Sequence, residues 1–281
     1  MTQSRWKKRM LIFIGLFVLG YLGIVIMLLS LENRLVFVVT PASEAWEPKP
    51  SEQLQDVWIA MPDGGQIHAW WNPPPAGKRE TLLICHGNSG NVSFRGQTML
   101  RFGQELQRGV LLFDYPGYGQ SPGEPNEANC YDSATAAFDW LVTQQGIPAE
   151  AVTLYGESLG GGVAVEVATR RAHHALVLMK TFTNLPDAAK ARYPFVPTHW
   201  LMRNRFDSLA KIPTLHQPVL VVGATDDRIV PFRLSERLFA AANEPKQLIP
   251  LPGDDHNDPL PPDFLPKLRA FLDAIPAPNA P

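Results

Sequence analysis

The amino-acid sequence predicts an α/β fold with a largely parallel sheet, helices on both faces of that sheet, and one apolar helix in front of it. Short apolar runs alternate with helix-length segments, a serine lies between glycines where one run meets a helical pattern, and an uncharged stretch opens the chain. Parallel strands need crossover connections of this length. The runs predicted to be sheet strands are Thr81 to Cys85, Val110 to Phe113, Val152 to Tyr155, Ala175 to Met179, Val219 to Val222 and Gln247 to Leu251.

The uncharged stretch is predicted to be a transmembrane anchor. Met10 to Leu31 comprises 22 residues without a formal charge, and a helix of that length spans about 33 Å, enough to cross a bilayer core. Four basic residues lie within 1–9, whereas Glu32 and Arg34 nearly cancel behind the stretch. The positive-inside rule therefore predicts a cytoplasmic N-terminus, a single pass and an extracytoplasmic domain. A cleavable signal peptide is the alternative, although no small-x-small site follows directly.

The rest of the chain is predicted to hold a connector, one domain and a short tail. Residues 32–54 contain several prolines and are predicted to connect the membrane to a domain at 55–276, with 277–281 as a tail. The domain opens with a hairpin of Asp56 to Ala60 and Gln66 to Trp71, joined across two glycines. Because sheet and helices supply its core, we expect the domain from about Leu35 onward to fold and act without the anchor.

Composition excludes several classes of partner. The formal net charge is −2, and no basic stretch follows the first ten residues, so no nucleic-acid partner is expected. Cys85 and Cys130 show no zinc spacing, and the seven histidines are scattered. We therefore expect no metal site and no cofactor. The oligomeric state is not predicted.

The glycine-flanked serine is the strongest functional signal. Gly156-x-Ser158-x-Gly160 follows the run Val152 to Tyr155 and opens a helical pattern. A strand that turns into a helix within so few residues strains the serine backbone and exposes its hydroxyl at the carboxyl end of the sheet. The first turn of the helix adds unpaired N–H groups, which favour the negative charge formed when a serine attacks a carbonyl. Ser158 is therefore predicted to be a nucleophile.

Candidate partners for Ser158 follow later strands. A serine nucleophile needs a base, usually histidine, and a carboxylate that orients the base. His256 follows the last predicted strand, and Asp226 and Asp227 follow Val219 to Val222. In a parallel sheet the carboxyl ends of the strands face the ligand. The order Ser, Asp, His in loops after strands is the one expected of an α/β-hydrolase fold.

Further motifs strengthen this interpretation. They are His86-Gly87-Asn88, the run Asp114 to Gly123, Arg205 to Ser208 and His256-Asn257-Asp258. With the serine motif they resemble the membrane-anchored α/β-hydrolase-domain proteins, a group that includes protein depalmitoylases, over about Leu35 to Ile275. The resemblance implies that Ser158 is the nucleophile, His256 the base, and the N–H groups of Asn88 and Leu159 the oxyanion hole.

The resemblance leaves the identity of the acid to be decided between two neighbours. Such enzymes usually place the acid three residues after a glycine, which favours Asp226 when counted from Gly223. Counting back from Ile229-Val230-Pro231 favours Asp227. We choose Asp227, because an alignment through the strand Val219 to Val222 reaches it without a gap. Adjacent side chains point in different directions, so only one carboxylate can reach the histidine.

An aromatic and proline-rich insert separates two predicted strands at 181–214. A plain crossover helix needs fewer aromatics and prolines, so we interpret part of this insert as a small lid over Ser158, with an ordinary packed crossover as the alternative. Tyr118, Phe182 and Trp200 are the candidates for the substrate pocket.

The favoured function is a membrane-anchored serine hydrolase that cleaves acyl esters or thioesters through an acyl-enzyme at Ser158. The resemblance implies acylated or lipid-like substrates. A peptidase or amidase acting on small substrates is the enzymatic alternative, because the same residues serve both bonds. A catalytically silent, membrane-anchored interaction protein is the alternative from another class, against which the presence of both Ser158 and His256 argues.

Overall fold

The computed structural model describes residues 2–276; Met1 and the predicted tail at 277–281 lie outside the described residues. The helices, in chain order, are α1 (Thr2–Ser30), α2 (Glu32–Val36), α3 (Gly96–Leu106), α4 (Glu127–Thr143), α5 (Leu159–Arg170), α6 (Leu185–Arg192), α7 (Thr198–Leu201), α8 (Ser208–Lys211), α9 (Phe232–Ala241) and α10 (Phe264–Asp273). The strands are β1 (Val38–Val39), β2 (Gln55–Ala60), β3 (Gln66–Asn72), β4 (Thr81–Cys85), β5 (Ser89–Gly90), β6 (Gly109–Phe113), β7 (Val152–Glu157), β8 (Ala175–Met179), β9 (Val219–Ala224) and β10 (Lys246–Leu251).

The main sheet has eight strands in the order β10-β9-β8-β7-β4-β6-β3-β2. The six strands from β10 to β6 pair in parallel, and β2 and β3 form an antiparallel hairpin at one edge. Each apolar run predicted from the sequence lies within one of these strands, because residues buried on both faces of a parallel sheet form continuous apolar segments. The predicted parallel sheet and opening hairpin are confirmed.

Helices cover both faces of this sheet, as predicted. Successive residues of a strand point to opposite faces, so Leu83 packs in one core with α4 and α5, whereas Leu82 packs in a second core with α3 and α10. The two cores sandwich the sheet between layers of helices. This arrangement leaves the carboxyl ends of the parallel strands free to carry loops.

Helix α1 covers the predicted apolar stretch except its last residue, and it also includes the basic residues before that stretch. Its segment Arg5–Ser30 has a mean hydropathy of 2.8, and it is the one helix of the described residues that is long and apolar enough to cross a membrane. It ends one residue before the predicted boundary at Leu31.

The connector is more closely integrated with the domain than a plain linker. Phe37 is buried, and β1 pairs in parallel with β5 in the loop that follows β4. Glu32 is also buried, at 4% exposure. The connector therefore contributes to the walls of the region above the sheet.

The insert at 181–214, here called the lid insert, contains the short helices α6, α7 and α8. Asn184 caps the first of them by accepting a hydrogen bond from the N–H of Asp187 at 2.7 Å. Residues of α6 and α7 line the same cavity as Ser158, whereas α8 packs against α5 and α9. That this insert acts as a lid stays a prediction.

Candidate active site

Ser158 lies at the sharp turn between β7 and α5. Its backbone has φ 51° and ψ −114°, a conformation that L-residues rarely adopt. The flanking glycines make the turn possible, because a Cβ on Gly156 would lie 2.4 Å from the carbonyl oxygen of Gly160, and a Cβ on Gly160 would lie 1.9 Å from that of Cys85. The close approach of helix, strand and loop therefore requires glycine at both positions.

The structure brings the predicted serine, histidine and aspartate together. The distance from His256 Nε2 to Ser158 Oγ is 3.0 Å, and that from His256 Nδ1 to Asp227 Oδ2 is 2.7 Å. Both distances allow hydrogen bonds. An aspartate against Nδ1 favours the tautomer that carries its proton there, so Nε2 is left to accept a proton from Ser158.

Asp227, and not Asp226, is the acid that contacts the imidazole. Its second oxygen, Oδ1, accepts hydrogen bonds from the N–H groups of Ile229 at 2.8 Å and Val230 at 2.6 Å, which fix the carboxylate. Asp226 is exposed, and its Oδ1 accepts a hydrogen bond from the hydroxyl of Thr225. The catalytic roles of these residues stay predictions.

Two residues that the sequence analysis did not select hold the loop of His256. Lys180, 4% exposed, donates from Nζ to the backbone carbonyls of Asp255, His256 and Asp258 at 3.0, 3.2 and 3.0 Å. Asp255 accepts from the N–H groups of His256 and Arg228, and these hydrogen bonds lower its pKa to about 2. A lysine directly after a buried strand is the signal that would have identified Lys180.

The predicted oxyanion-hole residues lie beside Ser158. The backbone N–H groups of Asn88 and Leu159 have no hydrogen-bond partner among the described residues. The loop of Asn88 approaches the serine closely, since a Cβ on Gly87 would lie 3.6 Å from Ser158 Cβ. Asn88 is held from its other side, because its Nδ2 donates to the carbonyl of Val36 at 2.9 Å. Two free donors beside a serine hydroxyl can donate hydrogen bonds to a developing oxyanion.

Tyr118 has a different place from the one predicted. It is fully buried and does not line the cavity at Ser158. Its hydroxyl donates to the carbonyl of Asn88 at 2.8 Å and so supports the oxyanion loop from below. An aromatic residue with a hydroxyl satisfies a buried carbonyl, which explains why the tyrosine packs inward.

A cavity of about 560 Å³ lies above Ser158 and is enclosed mainly by apolar side chains. Phe182 lines it, as predicted, whereas Trp200 is 87% exposed and points away from it. The other apolar lining residues come from the end of α1, the connector, the first turn of α5, the lid insert and the loop after β9: Leu28, Leu29, Leu35, Val36, Val38, Leu159, Leu185, Ala188, Ala189, Tyr193, Val196, Leu201, Met202, Ile229 and Val230.

A buried carboxylate, that of Glu32, joins the connector to the lid insert, which form two walls of this cavity. Glu32 accepts hydrogen bonds from the backbone N–H groups of Arg203 at 3.0 Å and Asn204 at 2.8 Å, and from Nδ2 of Asn204 at 2.9 Å. Burial alone would raise the pKa of Glu32, but these hydrogen bonds outweigh it and lower the pKa below its ordinary value. The sequence analysis did not select Glu32, because its partners lie about 170 residues away.

A second buried acid lies beneath the oxyanion loop. Asp114 accepts a hydrogen bond from the N–H of Val92 at 2.8 Å and lies 3.7 Å from Nε2 of His86. Burial raises the pKa of Asp114 to about 7, and it lowers the pKa of His86 well below its ordinary value. This pair supports the loop and is not open to the cavity.

No group of three or more histidine, cysteine, aspartate or glutamate side chains that could hold a metal ion occurs in the part of the chain that the structure describes. Cys85 and Cys130 are buried and free, and burial raises the pKa of both thiols. No metal or cofactor ligands are assigned.

Comparison with known proteins agrees with this architecture. Residues 80–206 match a family model described as the alpha/beta hydrolase fold. The chain is 38% identical over 256 residues to the uncharacterized protein Rv2307c of Mycobacterium tuberculosis, covering 90% of this chain and 89% of that protein. It is also 34% identical over 194 residues to the alpha/beta hydrolase domain-containing protein aho-3 of Caenorhabditis elegans, covering 69% of this chain and 57% of that protein. The chain belongs to the α/β-hydrolase family.

Solved structures show the same fold at lower identity. The esterase Pf2001 of Pyrococcus furiosus superimposes with a TM-score of 0.68 at 17% identity, over 85% of this chain and 95% of that one. An acetyl xylan esterase from Paenibacillus sp. R4 superimposes with a TM-score of 0.65 at 18% identity, over 80% of this chain and 85% of that one. At these identities the likeness concerns the fold alone. Family and fold together support hydrolase activity.

Proposed function

We propose that this protein is a membrane-anchored serine hydrolase that cleaves acyl esters or thioesters through an acyl-enzyme at Ser158. One observation carries the proposal: Ser158 Oγ, His256 and Asp227 form a continuous hydrogen-bonded chain at the base of an apolar cavity. A serine activated in this way attacks carbonyl carbon, and an apolar cavity suits an acyl chain.

The first half of the reaction forms the acyl-enzyme. The Ser158 hydroxyl loses its proton to Nε2 of His256 as Oγ bonds to the carbonyl carbon of the substrate. The carbonyl oxygen becomes an oxyanion, which accepts hydrogen bonds from the N–H groups of Asn88 and Leu159. The tetrahedral intermediate collapses, the bond to the leaving group breaks, and His256 returns the proton to the departing alcohol or thiol.

The second half releases the acid. His256 takes a proton from water, whose oxygen attacks the acyl carbon and forms a second oxyanion in the same place. The bond to Oγ then breaks, and the proton returns to Ser158. Asp227 stabilises the imidazolium during both halves, because its carboxylate faces Nδ1 at 2.7 Å.

Membrane anchorage is the second part of the proposal. Its support is the length and hydropathy of α1 and the basic residues before it. Under the positive-inside rule these basic residues favour a cytoplasmic N-terminus and a domain on the opposite side of the membrane. Acylated or lipid-like molecules are the proposed substrates, because the cavity is apolar and includes the last turns of α1.

A serine-directed activity probe tests the chemistry. We expect a fluorophosphonate to label the wild-type protein and to leave Ser158→Ala unlabelled, with esterase turnover lowered on the order of 10⁴-fold or more. Ser89→Ala is the matched control, since Ser89 also lines the cavity and its side chain does not contact the histidine. An unchanged melting temperature shows that the loss is chemical. Near wild-type turnover in Ser158→Ala contradicts the mechanism.

A series of substrates, together with the fluorophosphonate probe, separates the alternative functions. Profiling p-nitrophenyl esters of increasing chain length against matched aminoacyl amides distinguishes an esterase from an amidase or peptidase. We expect activity to rise with acyl length on the esters and to be low on the amides. A folded wild-type protein that the fluorophosphonate does not label favours the silent interaction protein.

A further inference from the structure

The lid insert contacts the proposed membrane helix well inside its length. Tyr21 donates a hydrogen bond from its hydroxyl to the backbone carbonyl of Phe195 at 2.8 Å. Tyr21 lies nine residues before the end of α1 at Ser30, which is about 14 Å along a helix. The segment 193–202, here called the lid tip, therefore lies beside α1 and not beyond its end. A bilayer that contains α1 as far as Ser30 also surrounds this contact.

The lid tip exposes large apolar side chains. Phe195 is 86% exposed and Trp200 is 87% exposed, more than any other large apolar side chain outside α1 among the described residues. Tyr193 adds a third aromatic ring at 41% exposure. Exposed apolar side chains clustered on one segment mark an interaction surface. Tryptophan and tyrosine are also the residues that favour the membrane interface.

Much of the backbone of the lid tip is paired within the protein or has no N–H group to pair. Pro194 and Pro197 have no N–H group to satisfy. A segment inserted into lipid must pair its polar backbone groups within the protein. The five consecutive carbonyls of residues 193–197 each accept a hydrogen bond, in order from Val196 N, Lys190 Nζ, Tyr21 Oη, Thr198 N and Trp200 N.

The cavity above Ser158 reaches the place where α1 and the lid tip meet. Leu28 and Leu29 of α1 line one side of it, and Tyr193, Val196 and Leu201 of the lid tip line another. The walls supplied by both segments are apolar, so an acyl chain can pass between them without losing contact with apolar surface.

We propose that the lid tip inserts into the bilayer leaflet from which the domain emerges, with Phe195 and Trp200 in the lipid. Acyl chains then reach Ser158 directly from this leaflet, between α1 and the lid tip. The occupant of the exposed aromatic surface is the lipid bilayer, and the substrate is an acyl ester or thioester resident in the membrane. The inference rests on the proposed membrane anchorage and hydrolase function.

Lipid quenching tests the insertion in the full chain. Cys85 and Cys130 are buried, so an environment-sensitive fluorophore attaches to an introduced cysteine. Phe195→Cys is compared in phosphatidylcholine vesicles containing doxyl-labelled phosphatidylcholine with Val18→Cys in α1 as the inserted reference, and with Trp58→Cys on β2 as the exposed control. We expect blue-shifted emission and strong quenching at positions 18 and 195, and neither effect at position 58.

The pattern of quenching shows whether the insertion of the lid tip or the membrane anchorage of α1 is wrong. Quenching at position 18 without quenching at position 195 overturns the insertion of the lid tip and leaves the anchor intact. Absence of quenching at both positions overturns the anchor as well. If a second copy of the chain or another bound protein covers position 195 and prevents its quenching by lipid, the proposal is also overturned. The exposed aromatic surface then belongs to that partner.

Hydrolysis measurements test the proposed route of acyl chains from the bilayer leaflet to Ser158. The double variant Phe195→Ser/Trp200→Ser is expected to lose on the order of a hundredfold in rate on a long-chain ester embedded in vesicles, since each of the two aromatic side chains gains about tenfold by leaving water. Its rate on water-soluble p-nitrophenyl butyrate should stay at the wild-type level, as should both rates of Trp58→Ser. Equal losses on the two substrates overturn the route. A wild-type protein that hydrolyses neither ester contradicts the proposed function, while the quenching pattern still decides the membrane contact.

Discussion

The two sides of the active site are built in different ways. On the sheet side, Ser158, Asp227 and His256 lie on loops after β7, β9 and β10, and hydrogen bonds to backbone N–H groups within their own loops help to fix Asp227 and His256. On the lid side, the end of α1, the connector and the lid insert are distant in sequence. The buried carboxylate of Glu32 joins the connector to the lid insert across 171 residues.

We infer from this difference that the sheet side carries out the reaction and that the lid side determines which acyl chains are accepted. The sheet side supplies the nucleophile, base, acid and oxyanion donors, and the sheet itself holds these groups rigidly. The lid side supplies most of the apolar cavity wall. Its attachment depends on two carboxylates, because Glu127 also accepts hydrogen bonds from the N–H groups of Arg205 and Phe206. Changes on the sheet side should therefore affect all substrates, whereas changes on the lid side should affect long acyl chains most.

The largest effect in this comparison is expected at Asp227. Asp227→Asn should lower turnover by up to about 10⁴-fold, because the imidazole then adopts the wrong tautomer. Asp226→Asn is the matched control and should stay close to wild type, since Asp226 is exposed and does not contact the histidine. Steady-state kinetics on a short and a long p-nitrophenyl ester measure both variants. A large loss confined to Asp226→Asn would show that the acid is assigned to the wrong residue.

An intermediate effect is expected at Glu32. Glu32→Gln replaces one of the two carboxylate oxygens by an amide N–H₂, so donors of Arg203 or of Asn204 lose their acceptor, and leaving a buried donor unpaired costs about 1–3 kcal/mol. We expect faster amide hydrogen exchange at residues 203 and 204 and a lower kcat/KM for long-chain esters, with short-chain turnover retained. Glu52→Gln, an exposed glutamate of the connector, is the control.

A chain that begins at Leu35 lacks Glu32 and should behave like Glu32→Gln. This expectation revises the sequence-based one, in which the domain acts fully without the anchor. Equal losses on short and long esters in Glu32→Gln would contradict the division between the two sides, and so would wild-type selectivity in the shortened chain.

Most of the sheet side was predictable from the sequence. Buried parallel strands are continuous apolar runs, and a nucleophile turn needs glycines around Ser158, so both leave local patterns. The choice of Asp227 over Asp226 also agrees with the contact to His256. These features depend on residues close together in the chain.

The lid side was largely not predictable. Glu32 acts through partners distant in sequence, as Lys180 does on the sheet side, and no periodicity records such contacts. Tyr118 and Trp200 were selected because they are aromatic, but composition does not say which way a side chain points. Tyr118 supports the oxyanion loop from the core, and Trp200 faces outward.

The last expected effect concerns the dependence of stability on pH on the sheet side. Burial raises the pKa of Asp114 to about 7, whereas an aspartate of the unfolded chain titrates at about 3.9. Between these values the unfolded state binds fewer protons than the folded state, so this residue lowers the free energy of unfolding as pH rises. Denaturant titrations at several pH values should show a smaller decrease for Asp114→Asn than for wild type. His86 is present in both proteins, so the difference reports Asp114. Identical pH profiles would contradict the raised pKa.

The central claim is that acyl transfer passes through Ser158, and the acyl-enzyme itself is its most direct test. Wild-type protein mixed briefly with a long-chain p-nitrophenyl ester and quenched with acid should gain the mass of one acyl group in intact-mass spectrometry. Peptide mapping should place this group on Ser158, and Ser158→Ala should gain none. An acyl group on another residue, or turnover by Ser158→Ala at the wild-type rate, would contradict the account.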